Sequence, residues 1–217
     1  IVHESGHEWF GNNITEKDIA DMWIHESFTD YSETLFIEYF YGKKAASEYV
    51  QGLRSNIQND RPIIGIYDVN YEGSGDMYYK GANMLHTLRQ WINNDDTWLE
   101  ILRGLNKDFY HQTVTPQQIE DYIASKSGLK LDAFFDQYLR DTRIPVLQYR
   151  YQNGQLGFMW TNCVSGFNMP IEITLNGESK TIHPTTAFPV FITLKDESFS
   201  LETDPDYYII PYDITVR

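Results

Sequence analysis

Two hydrophobic periods divide this chain, and the change between them falls just after residue 140. In the first part apolar residues return every three or four positions, the spacing of amphipathic helices. Ile24, Phe28, Tyr31, Leu35 and Tyr39 predict a helix from about Asp18 to Tyr41, ended by Gly42, and a second is expected from Ala45 to about Asn56. A turn-rich stretch follows, from Asn59-Asp60-Arg61-Pro62 to Gly73-Ser74-Gly75-Asp76, of the kind that forms the rim of a cleft. Asp76 or Ser74 can cap the next helix, Met77 to about Ile92. Trp98, Ile101, Leu102, Leu105 and Phe109 make another helical face. Thr115-Pro116-Gln117-Gln118 then supplies an N-cap, a first-turn proline and a capping-box glutamine for a helix that Gly128 closes. The last helix is expected from Leu131 to Arg140.

From Asp141-Thr142-Arg143-Ile144-Pro145 onward the period is two. Val146 to Tyr151 and Leu156 to Trp160 flank Asn153-Gly154, a hairpin signal, and Asn176-Gly177 joins Ile171–Leu175 to Ser179–His183 in the same way. Further strands are expected at Val190–Leu194, Phe199–Thr203 and Tyr207–Val216. Short, evenly spaced strands suggest a β-sandwich of about 70 residues. The fold class is α + β, with residues 1–143 a helical part and 144–217 a β-sandwich domain.

Charge narrows the chemistry. Seventeen Lys and Arg against 31 Asp and Glu leave a net charge of −14, which argues against nucleic-acid phosphate as a partner. Nine carboxylates and one lysine lie between Ile1 and Glu38, a bias that suits attraction of a protonated amine. The one cysteine, Cys163, permits no intrachain disulfide, and no apolar run has the length of a membrane span.

The most informative chemistry lies at the start. His3 and His7 stand four apart, so on a helix both imidazoles reach one point, and Glu4, turned about 100° around the axis, stands beside that point. Two histidines leave zinc short of ligands, and Glu26, with eighteen residues between it and His7, is the candidate third. Two nitrogens, one carboxylate and an open fourth position make the donor set of hydrolytic zinc, one ion per chain. The competing reading is an amphipathic surface helix whose His-Glu-x-x-His pattern is accidental. Asp30 and Glu33 share a helix face with Glu26 and are candidates to hydrogen-bond a ligating imidazole; an acidic, solvated stripe is the alternative for both. His86 and His111 lack a partner motif and read as structural or surface residues.

His3-Glu4-x-x-His7-x-Trp9-Phe10-Gly11-Asn12, followed by Glu26 in a Trp-x-x-Glu-x-Phe setting, resembles the aminopeptidase N family of zinc metallopeptidases in the gluzincin clan. Glu8 stands where that family usually has Gln, and His25-Glu26-Ser27 where Asn-Glu-Gly is usual. The resemblance implies the all-helical half of a thermolysin-like catalytic domain followed by a small β-sandwich, acting on peptide substrates. Tyr78-Tyr79-Lys80-Gly81 resembles the family's Tyr-x-Lys-Gly segment, which makes Tyr78 the donor to the oxyanion and Glu4 the base. Without the resemblance Tyr78 reads as a core aromatic, in a stripe with Ala82, Leu85 and Ile92.

The family's Gly-x-Met-Glu-Asn segment, which binds the substrate's free N-terminus, has no counterpart here. The chain also starts without methionine, two residues before His3. It is therefore expected to be a piece of a larger protein whose remaining N-terminal domains complete the cleft. Zinc binding with little or no cleavage is one expectation for the piece alone. A non-catalytic interaction module and a thermolysin-like endopeptidase are the alternatives, the Tyr-x-Lys-Gly match weighing against the second.

Overall fold

In a computed structural model that describes residues 1–194 and 198–215, the chain divides into two units, Ile1–Thr142 and Arg143–Arg217. The first unit is helical and is built around the two helices that carry the candidate chemistry. Helix α1 is short, Val2–Gly6, with His7 at its C-cap in right-handed helical geometry. Asp18 accepts a hydrogen bond from Ala20 N–H and caps a 3₁₀ turn, Ile19–Asp21. The long helix α2, Trp23–Tyr41, follows, so the helix expected from Asp18 is two elements, and Glu26 lies in the first turn of the second. Gly42, at φ 88°, ends it.

Helix α3 covers Lys43–Gly52 and tightens into a 3₁₀ turn at Leu53–Asn56. After the turn-rich segment, α4 runs from Tyr79 to Ile92 and is buried almost all round, from Lys80 to Arg89. Met84, Leu85 and Leu88 are fully enclosed there, at roughly 1.5–3 kcal/mol of burial each. Helices α5 (Asp95–Asp108), α6 (Pro116–Ser127) and α7 (Asp132–Leu139) complete the unit. Asn94 caps α5 by accepting from Thr97 N–H. The capping box of α6 forms as its sequence dictates, with Gly128 left-handed at φ 70° behind it.

One pairing had no sequence signal. Strands β1 (Ile14–Glu16) and β2 (Gln112–Val114) run parallel, Ile14 opposite Gln112, and pin the turn after α1 to the segment before α6.

In the second unit Asn153-Gly154 and Asn176-Gly177 both take positive φ, at 52° and 78° and at 53° and 80°, the geometry of a tight hairpin turn. They join β3 (Val146–Gln152) to β4 (Gln155–Thr161) and β5 (Ile171–Leu175) to β6 (Glu178–Ile182). With β7 (Val190–Thr193), β8 (Leu201–Thr203) and β9 (Ile210–Asp213) these form a four-stranded sheet, β7-β4-β3-β9, and a three-stranded sheet, β6-β5-β8. Leu147, Leu156, Phe158 and Trp160 of one sheet and Ile171, Ile173 and Leu175 of the other are buried. The last strand is shorter than the expected Tyr207–Val216: Tyr207 and Tyr208 are buried ahead of β9, and Val216 lies outside the described residues.

Candidate metal centre

The start of α2 packs against α1, and Gly6 sets how closely. A Cβ on Gly6 would stand 2.9 Å from Thr29 Cγ2, so glycine lets the two helices approach until their polar side chains meet. His3 Nε2 lies 3.2 Å from Glu26 Oε2, and His7 Nε2 lies 3.6 Å from the same oxygen. One donor atom from each of the three falls within 4.8 Å of the others, and all three side chains are partly buried.

The outer nitrogens are occupied by different groups. His7 Nδ1 is 3.1 Å from the Phe10 carbonyl, which can only accept, so Nδ1 is the donor there, and in the neutral ring Nε2 is the nitrogen without a proton and faces Glu26. Thr29 Oγ1 is also close, 3.3 Å from the same Nδ1. His3 Nδ1 faces carboxylates instead, with Glu33 Oε1 at 3.5 Å and Asp30 Oδ1 at 3.9 Å. Tyr49, a residue with no signal in the sequence, donates its hydroxyl proton to Glu33. Asp30 is 4% exposed, and its Oδ2 is buried without a hydrogen-bond partner among the described residues. Burial, followed by the charges of Glu33 and Glu26, pushes the Asp30 carboxyl up to about 7.

Tyr78 enters from a third element. Its ring stacks on that of His3, centroids 5.8 Å apart and planes inclined by 30°. Burial and the neighbouring Glu26 carboxylate push its phenol up to about 12, so it stays protonated at neutral pH. Tyr78 does not lie inside a helix, as its apolar stripe had suggested. Ser74 caps a 3₁₀ turn at Gly75–Met77, and Tyr78 is the N-cap of α4.

Six of the seven candidate residues thus converge: His3, His7, Glu26, Asp30, Glu33 and Tyr78. The seventh, Glu4, is exposed on α1 and makes no hydrogen bond or ion pair with the other six. Neighbouring His25 turns away from this cluster and packs its Nε2 against Glu16, accepting from the Glu16 backbone N–H at 3.1 Å. Of the two remaining histidines of the helical unit, His86 is buried beside Tyr31, and His111, in the turn after α5, stacks on Tyr110.

Comparisons with known proteins bear on the family of the chain. A family model, the peptidase family M1 domain, matches residues 1–138. Aminopeptidase N of Lactococcus lactis is 24% identical over 165 residues, covering 68% of this chain and 19% of that protein. The mitochondrial aminopeptidase 2 of Saccharomyces cerevisiae is 24% identical over 91% of this chain and 21% of its own length. Mouse endoplasmic reticulum aminopeptidase 1 is 25% identical over 97% of this chain and 26% of its own length. The chain therefore spans about a fifth to a quarter of these relatives. A solved structure of Legionella pneumophila aminopeptidase A in complex with aspartic acid superimposes on 96% of the chain with a TM-score of 0.69 and 18% identity, a likeness of fold. No helix among the described residues is long and apolar enough to cross a membrane.

Proposed function

The chain belongs to peptidase family M1, and on that premise we propose that it carries the zinc site and the catalytic side chains of an aminopeptidase, which removes N-terminal residues from peptides. Residues 1–143 are then the helical part of the catalytic domain and 144–217 the β-sandwich domain after it. The remaining N-terminal domains of a longer protein supply the rest of the cleft, in keeping with the fraction of its relatives that the chain spans.

His3, His7 and Glu26 would hold one Zn²⁺, and their own spacing carries the reading. Donors about 2.0–2.1 Å from a tetrahedral ion stand about 3.3–3.4 Å apart, and the two histidine-to-Glu26 separations are 3.2 and 3.6 Å. The tautomer of His7 supports it further. In the neutral ring, Nε2 facing a carboxylate oxygen puts two lone pairs together, an arrangement that a cation between them turns from repulsive to attractive.

When bound, zinc supplies Lewis acidity toward a carbonyl oxygen and toward water. Glu4, a solvated carboxylate one residue from His3, acts as general base for the attacking water and returns the proton to the leaving amine. Tyr78 donates a hydrogen bond to the oxygen that gains charge, with a phenol pKa far above neutrality. Glu33 and Asp30 orient His3 from behind.

Hydrolysis of an amino-acid para-nitroanilide by the full-length protein tests the reading. A free α-amine should be required, and Glu4→Gln should lower kcat by about 10²–10⁴-fold with zinc retained. Equal cleavage of the N-acetylated compound would contradict an exopeptidase. Loss of zinc along with turnover would contradict the role of Glu4.

A further inference from the structure

Ser27 stands one residue past Glu26, where the resembled family usually has glycine, and it is fully buried. Its Oγ donates to the Met77 carbonyl at 2.7 Å, a contact fifty residues apart in sequence. Met77 precedes Tyr78. We propose that Ser27 is a positioning residue that seats Tyr78 beside the candidate metal centre by clasping the start of α4 to the start of α2. The proposal rests on the reading of Tyr78 as oxyanion donor.

Two features make the clasp specific. Tyr78 has φ −78° and ψ −81°, outside helical geometry, and its own N–H makes a long bond, 3.3 Å, to Gly75. Helical bonding of α4 begins beyond Met77, with Ala82 N–H donating to the Tyr78 carbonyl at 2.8 Å. The Met77 carbonyl therefore takes a hydroxyl from another helix, which fixes the peptide from which Tyr78 projects.

On the facing side, a Cβ at Gly81 would stand 2.0 Å from Ser27 Oγ and 3.2 Å from Ser27 Cα. Glycine at 81 thus leaves room for the hydroxyl and brings the two helices nearly backbone to backbone. One turn of α2 presents Glu26 to the cluster and Ser27 to the carbonyl before Tyr78, so the Glu26-to-Tyr78 separation is held by a single rigid element.

The test is ¹⁹F NMR of the protein carrying 3-fluorotyrosine at position 78, recorded with and without zinc, for the parent, Ser27→Ala and Ser27→Cys. The parent should give one narrow resonance that shifts when zinc binds, because its ring lies over His3. Ser27→Ala should move or broaden that resonance in the metal-free protein and reduce the zinc-induced shift to roughly half or less, with cooperative melting and zinc stoichiometry unchanged. Ser27→Cys, a weaker donor of similar size, should fall between and serves if the alanine variant fails to fold. Spectra of the variants that superimpose on the parent's would overturn the proposal. A parent that binds no zinc would sink the metal reading instead, and the metal-free spectra would still decide the clasp.

Discussion

Replacing Arg89 by methionine should destabilise the helical unit, by an amount the contacts allow to be worked out. The guanidinium is buried in α4 and joins two other helices. Nη1 and Nη2 donate to Glu38 of α2 at 2.5 and 2.8 Å, and Nε donates to Asp95 of α5 at 2.8 Å. Burial works against its charge, and Glu38, followed by Tyr31 and Asp95, more than reverses that, so its pKa is raised. Removing one member of a buried pair typically costs about 3–5 kcal/mol, because the remaining charge is left uncompensated. Here Glu38 keeps 20% exposure and Asp95 keeps 40% and a second partner in Lys43, so both recover part of their hydration. A loss of about 2–4 kcal/mol is therefore expected, which lowers the melting temperature of a unit this size by about 6–12 °C.

The pH dependence supplies a second readout. Hydrogen bonds from Arg89 and then Lys43 pull the Asp95 carboxyl down from 3.8 to about 2. A depressed acid contributes stability above its unfolded pKa and loses it as pH falls through the folded value. The gap between parent and Arg89→Met should thus be full at pH 6 and should narrow between about pH 4 and pH 2. Urea denaturation followed by circular dichroism at both ends of that range measures it. A variant within about 0.5 kcal/mol of the parent at pH 6 would refute the reasoning, as would a gap that does not change with pH.

Asp21 should behave in the opposite sense. It is 1% exposed, accepts the Tyr67 hydroxyl at 2.8 Å, and burial pushes its carboxyl up to about 6. A raised acid favours the fold while protonated and costs stability once pH rises through the folded value. Asp21→Asn should therefore gain roughly 1–3 kcal/mol at pH 8 and nothing below about pH 3.5, in the same denaturation assay. Glu33→Gln should weaken zinc binding by about 10–100-fold in a chelator competition, because it removes the carboxylate behind His3; unchanged affinity would dismiss that role.

Local chemistry was legible wherever it rested on neighbours in sequence. The bounds of α6 follow from Thr115, Pro116, Gln118 and Gly128, and both hairpins follow from Asn-Gly pairs that accept positive φ. The spacing of His3 and His7 also held, because the C-cap residue His7 keeps helical geometry even though α1 itself is five residues long. Contacts between distant segments were not legible. The three-residue pairing of β1 with β2 leaves no periodicity to detect, and Ser27, Thr29 and Tyr49 become part of the site only when α2 meets the Met77 carbonyl, His7 and α3. Tyr78 misled for a related reason. Its apolar stripe continues that of α4, while the helix itself starts one residue later, at Tyr79.

Elemental analysis of zinc after exhaustive dialysis, on the purified chain and on Glu26→Ala beside it, tests the central claim most directly. One zinc per chain, lost or markedly weakened in the variant, is the predicted result. No zinc in either protein, or equal zinc in both, would contradict a metal centre built from His3, His7 and Glu26.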